Sequence, residues 1–303
     1  MHNHPPDEGG DGRASLPKRS LVIAIGLTGT IFLAEIAGGF ISGSLSLLGD
    51  AAHMLQDVAA LLLSLGAITI AERLPTPSRT FGFHRVEIGV AAVNGFALIL
   101  VSALIIHEAY ERFFHPQPID SGIMLGVAVI GLVANVISMY FLHGSHDLNV
   151  KSAFLHVMGD TLSSVAVIMA AIWIAFTGQT IADPLISIGI SLLILASSFS
   201  LLKESFCILL QFAPRGVGTE EVIREMESVP GVSGVHNVHV WSLCSNINVL
   251  DAHVYSCETD VHRLEGVKED IKHRLEKYRI RHSTLEFECC PCDDCRMVQE
   301  LKD

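Results

Sequence analysis

The stretch GDAAHMLQDV, residues 49–58, places an imidazole and two carboxylates inside a long apolar segment. On an α-helix, His53 and Asp57 are one turn apart and share a face, and Asp50 lies nearly one turn before His53. Charged side chains inside an apolar span are costly unless a partner compensates them. The stretch therefore predicts a polar site built into a hydrophobic helix.

The composition of the chain predicts a membrane domain followed by a soluble one. Of the 303 residues, 50% are hydrophobic, and the net charge is -12. Lys and Arg are scarce between residues 86 and 212, whereas charges of both signs are frequent after residue 212. Nucleic acid is not an expected partner, because no basic stripe accompanies this negative charge.

Six segments are long and apolar enough to cross a bilayer, which takes about 20 residues. They are Leu21–Phe40, Leu45–Ile70, Val86–Ile106, Ile123–Leu142, Ala153–Phe176 and Leu185–Leu210. The alternative is six buried helices of a soluble protein, but such proteins rarely connect so many long apolar segments this briefly. The predicted organisation is a disordered tail (1–18), a six-helix transmembrane domain (19–212) and a cytoplasmic α+β metal-binding domain (213–303).

The fifth segment repeats the spacing of the second. KSAFLHVMGDTLSSV, residues 151–165, contains His156 and Asp160. Together with His53 and Asp57 they supply two imidazole nitrogens and two carboxylates, a tetrahedral set that suits Zn²⁺. A metal-free His–Asp hydrogen bond within each helix is the alternative. The same spacing in two separate spans favours a divalent cation shared between them.

This ligand set indicates an exchanger and argues against an enzyme. Neutral imidazole binds zinc and imidazolium does not, so protons and metal compete at His53 and His156. An intramembrane zinc hydrolase needs an open coordination position and a base, typically in H-E-x-x-H, and the sequence contains no such motif. A metal-gated channel or a sensor remains as a further alternative.

The distribution of Lys and Arg predicts the orientation, because cytoplasmic loops are enriched in them. One side collects most of the basic residues, namely Arg13, Lys18, Arg19, Arg73, Arg79, Arg85, Lys151 and Lys203. The opposite side has Arg112. Both termini are therefore expected in the cytoplasm. The short loops and compact tail favour a bacterial inner membrane.

Three stretches carry a resemblance to a known family: SGSLSLLGDAAHMLQDVAALLLS (42–64), RTFGFHRVEI (79–88) and HVMGDTLSSVAVI (156–168). They resemble the cation diffusion facilitator family in its zinc-transporting branch, over nearly the whole chain from about Leu21. The resemblance implies a homodimeric, proton-coupled antiporter that moves zinc out of the cytoplasm. A broader range that includes Cd²⁺ and Co²⁺ is the alternative. By motif match, His53, Asp57, His156 and Asp160 bind the transported ion, and Asp50 is a packing or entry residue.

The tail from Pro214 predicts a helix, two strands, a helix and a strand. The helices are TEEVIREMESV, with Thr219 as a candidate N-cap, and TDVHRLEGVKEDIKHRLEKY. The strands are GVHNVHVWSLCS, NINVLDAHVYSC and HSTLEFEC. This order resembles the ferredoxin-like, metallochaperone-like soluble domain of the same family.

Further metal ligands are expected on the cytoplasmic side, where Zn²⁺ would be structural or regulatory. The candidates are His84, His236, His253, His282, Cys289, Cys292 and Cys295. By resemblance, His236, His253 and His282 match the zinc positions of the family's soluble domain. Members of the family often have an acid or a histidine near the position of Cys289. A reducing cytoplasm disfavours disulfides, so the C-x-x-C pair in CCPCDDC (289–295) is expected to bind metal as thiolates, with inert core residues as the alternative. Packing on a strand face is the alternative for His236, and a surface or capping role is the alternative for His84.

Overall fold

The computed structural model describes residues 18–71, 76–142 and 148–289. Six long helices come first: α1 (Lys18–Ser42), α2 (Leu45–Ala71), α3 (His84–Phe114), α4 (Ser121–Leu142), α5 (Leu148–Thr177) and α6 (Ala182–Leu209). The α+β part follows as α7 (Thr219–Glu227), β1 (Gly234–Cys244), β2 (Ile247–Tyr255), α8 (Val261–Leu275), a 3-10 turn (Glu276–Tyr278) and β3 (Ile280–Glu288). The described residues form two compact units, one within Met1–Gly66 and Val101–Ile194, the other within Ala67–Leu100 and Leu195–Asp303.

The six long helices confirm the predicted helical membrane domain. In the described residues, five helical segments are long and apolar enough to cross a membrane: Ile25–Ser42, His84–Phe114, Ser121–Tyr140, Val157–Thr177 and Ala182–Leu209. Only 17% to 28% of each segment is buried within the protein, so most of its apolar surface is available to lipid. The helix outside this group is α2, whose polar stretch lowers its hydropathy.

The start of α2 is fixed by a side chain from the start of α6. Gly43 has φ 74°, a left-handed conformation that suits glycine, and α2 begins two residues later. The fully buried carboxylate of Asp183 accepts hydrogen bonds from the Ser44 and Ser46 hydroxyls and from two backbone N–H groups of the first turn. These bonds satisfy donors that a helix N-terminus otherwise leaves unpaired. They position the helix that carries His53 and Asp57.

Small side chains make room for buried carboxyl groups between neighbouring helices, at the contact of α1 with α4 and at the contact of α2 with α5. Glu35 of α1 is 2% exposed, and its Oε1 lies 2.7 Å from the point where a Cβ on Gly131 of α4 would stand. Asp50 of α2 accepts hydrogen bonds from the hydroxyls of Ser163 and Ser164 on α5. Hydrogen bonds from serine hydroxyls connect helices in this way inside a membrane.

The second unit contains the predicted α+β domain in the predicted element order. Its sheet has the strand order β1-β2-β3, with β1 antiparallel to β2 and β2 parallel to β3. Apolar residues of α7, α8 and one face of the sheet form its core: Val222, Met226, Val238, Val240, Leu250, Ala252, Val254, Val267, Ile271 and Leu275. The N-cap of α7 is Gly218 and not the predicted Thr219, which is the first helical residue.

A β-bulge in β1 decides which face of the sheet receives His236. His236 stands opposite His253, and His239 stands opposite Asp251, so two residues of β1 face only one residue of β2. Asn237 in the bulge has φ 47°. Strict alternation would place His236 on the core face with Val238, whereas the extra residue rotates it to the other face.

Candidate metal centres

The first group of potential ligands lies in the first unit and joins α2 to α5. His53 Nδ1 is 3.7 Å from Asp57 Oδ2 and 3.8 Å from Asp160 Oδ1. One ligand atom from each of the three residues lies within 4.8 Å of the others. Their side chains are 16% to 24% exposed, so the group is accessible yet enclosed by helices. A divalent cation placed among these atoms would neutralise both carboxylates.

The fourth predicted ligand, His156, is in α5 one turn before Asp160. Its side chain lies outside the described part of the structure, so the observed group has three members. Asp50 is separate from this group. Its carboxylate is 5% exposed and accepts hydrogen bonds from Ser163 and Ser164, which agrees with a packing role.

A second group of potential ligands lies in the cytoplasmic domain, on the sheet face opposite the core. His236 Nε2 is 3.3 Å from Glu288 Oε2, and His253 Nδ1 is 2.7 Å from Glu288 Oε1. The two imidazole rings are opposite each other on β1 and β2, with centroids 5.2 Å apart. Two imidazole nitrogens and one carboxylate suit Zn²⁺.

The hydrogen bonding of this second group also fits a metal. His236 Nε2 and Glu288 Oε2 are buried and close, but neither atom makes a hydrogen bond within the described residues. Buried polar atoms are rarely left without a partner. An ion between the two atoms would supply that partner.

Glu288 is a candidate that the sequence analysis did not name. The resemblance placed an acid or a histidine near Cys289, and Glu288 is the residue immediately before it. Glu286 and Glu288 alternate with Leu285 and Phe287, which pack on the core. This period-two pattern would have placed Glu288 on the same face as His253.

The remaining cytoplasmic candidates lie elsewhere. His282 is exposed on β3, and its ring makes an edge contact with Phe81 at 5.5 Å between centroids. His84 is the first residue of α3 and is half-buried. Cys289 is exposed, with a free thiol, after the end of β3. Cys292 and Cys295 lie outside the described residues.

These features define a class of protein. The chain has a helical membrane domain that contains a group of His and Asp side chains. A small α+β domain with a group of His and Glu side chains follows it. This combination is that of a multi-pass transporter of divalent metal cations. The chain belongs to the cation efflux family: residues 21–210 match its Cation efflux transmembrane domain, and residues 214–290 match the Cation efflux protein, cytoplasmic domain. The resemblance to the cation diffusion facilitator family is thereby confirmed, and the relatives described next place the chain in its zinc/cadmium/cobalt branch.

Characterised relatives cover almost the whole chain. The zinc transporter ZitB of Escherichia coli is 44% identical over 92% of this chain and 90% of its own length. The metal cation efflux system protein CzcD of Cupriavidus metallidurans is 42% identical over 99% of this chain and 93% of its own length. The cadmium, cobalt and zinc/H⁺-K⁺ antiporter of Bacillus subtilis is 38% identical over 95% of this chain and 91% of its own length.

Proposed function

We propose that this protein exports Zn²⁺ from the cytoplasm in exchange for protons, with His53, Asp57, His156 and Asp160 as the transport site. The observation that carries the proposal is the meeting of His53, Asp57 and Asp160, from two separate membrane helices, within one ion-sized group. His156 completes the set by its spacing from Asp160, which puts both residues on one face of α5.

The chemistry of these ligands couples zinc to protons. A neutral imidazole binds Zn²⁺, and a protonated one does not, so loading of protons releases the metal. A site that faces the two sides of the membrane alternately then exchanges one for the other. Inward flow of protons drives zinc outward. The antiporter named among the relatives supports this mechanism.

The orientation is proposed from the positive charges. Most Lys and Arg of the short loops fall on one side, together with both termini, and that side is the cytoplasm. The match to a cytoplasmic domain after residue 213 supports this assignment. The bacterial relatives support location in a bacterial inner membrane. The match to the family's dimer-forming cytoplasmic domain supports a homodimer.

His236, His253 and Glu288 are proposed as a structural or regulatory zinc site of the cytoplasmic domain. Zinc there joins all three strands, because one ligand comes from each. Metal binding to such a site contributes directly to the stability of the fold. The thiolates of Cys289, Cys292 and Cys295, which follow Glu288 in the sequence, are proposed as further ligands. His84 and His282 are proposed as candidates for a separate ion.

Selectivity broader than zinc is the second candidate. The names of two relatives include cadmium and cobalt or metal cations in general. Imidazole with carboxylate also binds neighbouring divalent metals, so geometry and not affinity must exclude them.

The test is metal flux in proteoliposomes with an imposed pH gradient. The intact protein is expected to move zinc against its gradient, with protons moving the other way. Asp160→Ala should abolish this flux while the purified protein keeps the zinc of its cytoplasmic domain. Asp270→Ala, which removes an exposed carboxylate from α8, is the control and should transport normally. Passive zinc flux without proton movement would contradict the exchange, and normal flux by Asp160→Ala would contradict the site.

A further inference from the structure

A cavity of about 390 Å³ lies in the second unit, lined by residues at the end of α6 and by residues of the cytoplasmic domain. Its lining combines two kinds of side chain. Cys207, Ile208 and Phe212 contribute apolar surface, at and just after the end of α6. Arg215, Lys277 and Arg279 contribute positive charge.

The turn that carries Lys277 and Arg279 is held in place by hydrogen bonds to its backbone. Asn248 is 8% exposed and donates through its side chain to the Tyr278 carbonyl, while its backbone N–H donates to the Arg279 carbonyl. Ser242 donates to the same Asn248 side chain. Arg279 itself has φ 58°, an uncommon conformation for a residue with a side chain. The turn that presents Lys277 and Arg279 is therefore anchored on the sheet.

The charges of the cavity do not cancel. Lys277 forms an ion pair with Glu225 at 2.7 Å. Among the described residues, neither Arg215 nor Arg279 forms an ion pair with a carboxylate, in contrast to Arg263 and Arg274. Glu204 is the acidic residue of the lining. Two guanidinium groups are thus available for an anion, and guanidinium binds phosphate oxygens in a fixed fork geometry.

Exposed apolar side chains at the end of α6 favour an amphiphilic ligand over a free anion. Phe212 lines the cavity and is 57% exposed, and Phe206 and Leu210, which precede it in sequence, are 51% and 62% exposed. A headgroup phosphate in the cavity would leave its acyl chains free to contact apolar surface of this kind. Basic pockets at the cytoplasmic side of membrane helices have the chemistry that binds anionic lipid headgroups.

We propose that this cavity binds the phosphate headgroup of an anionic phospholipid through Arg215 and Arg279. The bound lipid connects the end of α6 to the anchored turn of the cytoplasmic domain. This site uses none of the residues of the two metal groups.

The test is native mass spectrometry of the purified full-length protein with dihexanoyl-phosphatidylglycerol as the probe. The protein is expected to bind this lipid and to bind dihexanoyl-phosphatidylcholine at least about tenfold more weakly. Arg215→Gln/Arg279→Gln should weaken phosphatidylglycerol binding about tenfold. Arg224→Gln/Arg263→Gln removes the same charge from α7 and α8 and should bind as the wild type does.

Two additional measurements keep the result interpretable. Arg279→Lys retains the charge and should retain most of the binding, and an unchanged zinc content shows that the double variant is folded. Equal binding of both lipids would overturn the proposal. Displacement of the lipid by millimolar inorganic phosphate would indicate a site for soluble anions and would also overturn the proposal. Binding unaffected by the loss of both arginines, or no binding to the wild type, would overturn it as well.

Discussion

The carboxylate of Asp183, at the start of α6, accepts a 2.8 Å hydrogen bond from the backbone N–H of Leu45, the first residue of α2. The same carboxylate accepts from the N–H of Ser46 at 3.0 Å. A side chain 138 residues away in sequence thus acts as the N-terminal cap of the helix that carries His53 and Asp57.

Asp183→Ala should therefore destabilise the membrane domain. It leaves the first N–H groups of α2 and two buried serine hydroxyls without their acceptor, and we expect a loss of about 2 kcal/mol in the free energy of unfolding. Asp183→Asn retains one carbonyl acceptor and should lose less. Unfolding in mixed detergent micelles measures both, and equal stability of Asp183→Ala and the wild type would refute the capping role.

Gly131→Ala should destabilise the same unit through a different contact. The added Cβ would stand 2.7 Å from Glu35 Oε1, so the buried carboxyl must move, at a cost of about 1–3 kcal/mol. Gly126→Ala on the same helix is the matched control, because nothing lies within 4 Å of its added Cβ. The control should be neutral or slightly stabilising, since alanine favours helix over glycine. The same effect for both substitutions would show that the Glu35 contact is unimportant.

His53→Asp should change metal preference. The substitution replaces one imidazole nitrogen with a carboxylate, which can bind through one or two oxygens and so accommodates a larger cation. We therefore expect weaker discrimination against Cd²⁺. Competitive uptake of Zn²⁺ and Cd²⁺ into proteoliposomes measures the ratio directly. If the ratio stays constant, His53 does not set selectivity.

Glu288→Gln should lower the zinc content of the cytoplasmic domain. It replaces the carboxylate that contacts both His236 and His253, and a neutral amide is a poorer zinc ligand. His262→Ala is the control, because His262 is exposed on α8 and is not among the candidate ligands. Metal counting on the purified protein is expected to show one zinc fewer in Glu288→Gln and an unchanged zinc content in His262→Ala. An unchanged zinc content in Glu288→Gln would exclude this carboxylate as a ligand.

Glu225→Gln should destabilise the cytoplasmic domain slightly, in a pH-dependent way. The hydrogen bond from Lys277, 2.7 Å away, holds the pKa of Glu225 below its ordinary value of 4.5, and the same bond raises the pKa of Lys277. A carboxyl whose pKa is lowered on folding stabilises fully above its ordinary pKa. This contribution is lost as the pH falls through the lowered value.

The wild type should therefore exceed Glu225→Gln in stability at neutral pH, and the two should converge as the pH falls below about 4.5. Trp241 lies on β1, and a Trp173→Phe background makes it the single tryptophan reporter of this domain. Asp270→Asn on the exposed side of α8 serves as the control. A stability difference that persists in acid would exclude the ion pair as its cause.

The sequence predicted the fold class because hydrophobic length and periodicity are local properties. Apolar runs such as Val86–Ile106 give membrane helices whatever their neighbours are. The element order of the cytoplasmic domain also followed from local alternation. Details that depend on backbone geometry were missed, as at Thr219, where the chain uses Gly218 as the cap.

The sequence by itself determined that two membrane helices carry His-x-x-x-Asp, because one helical turn separates residues i and i+4 in any helix. Only the tertiary structure decided that His53 lies 3.8 Å from Asp160, and that Asp183 caps the helix which brings it there. It also decided that a bulge at Asn237 rotates His236 to face His253 and Glu288. Spacing along one element is set by its own geometry, whereas the meeting of side chains from different elements depends on packing, register and strand irregularities that no local pattern encodes.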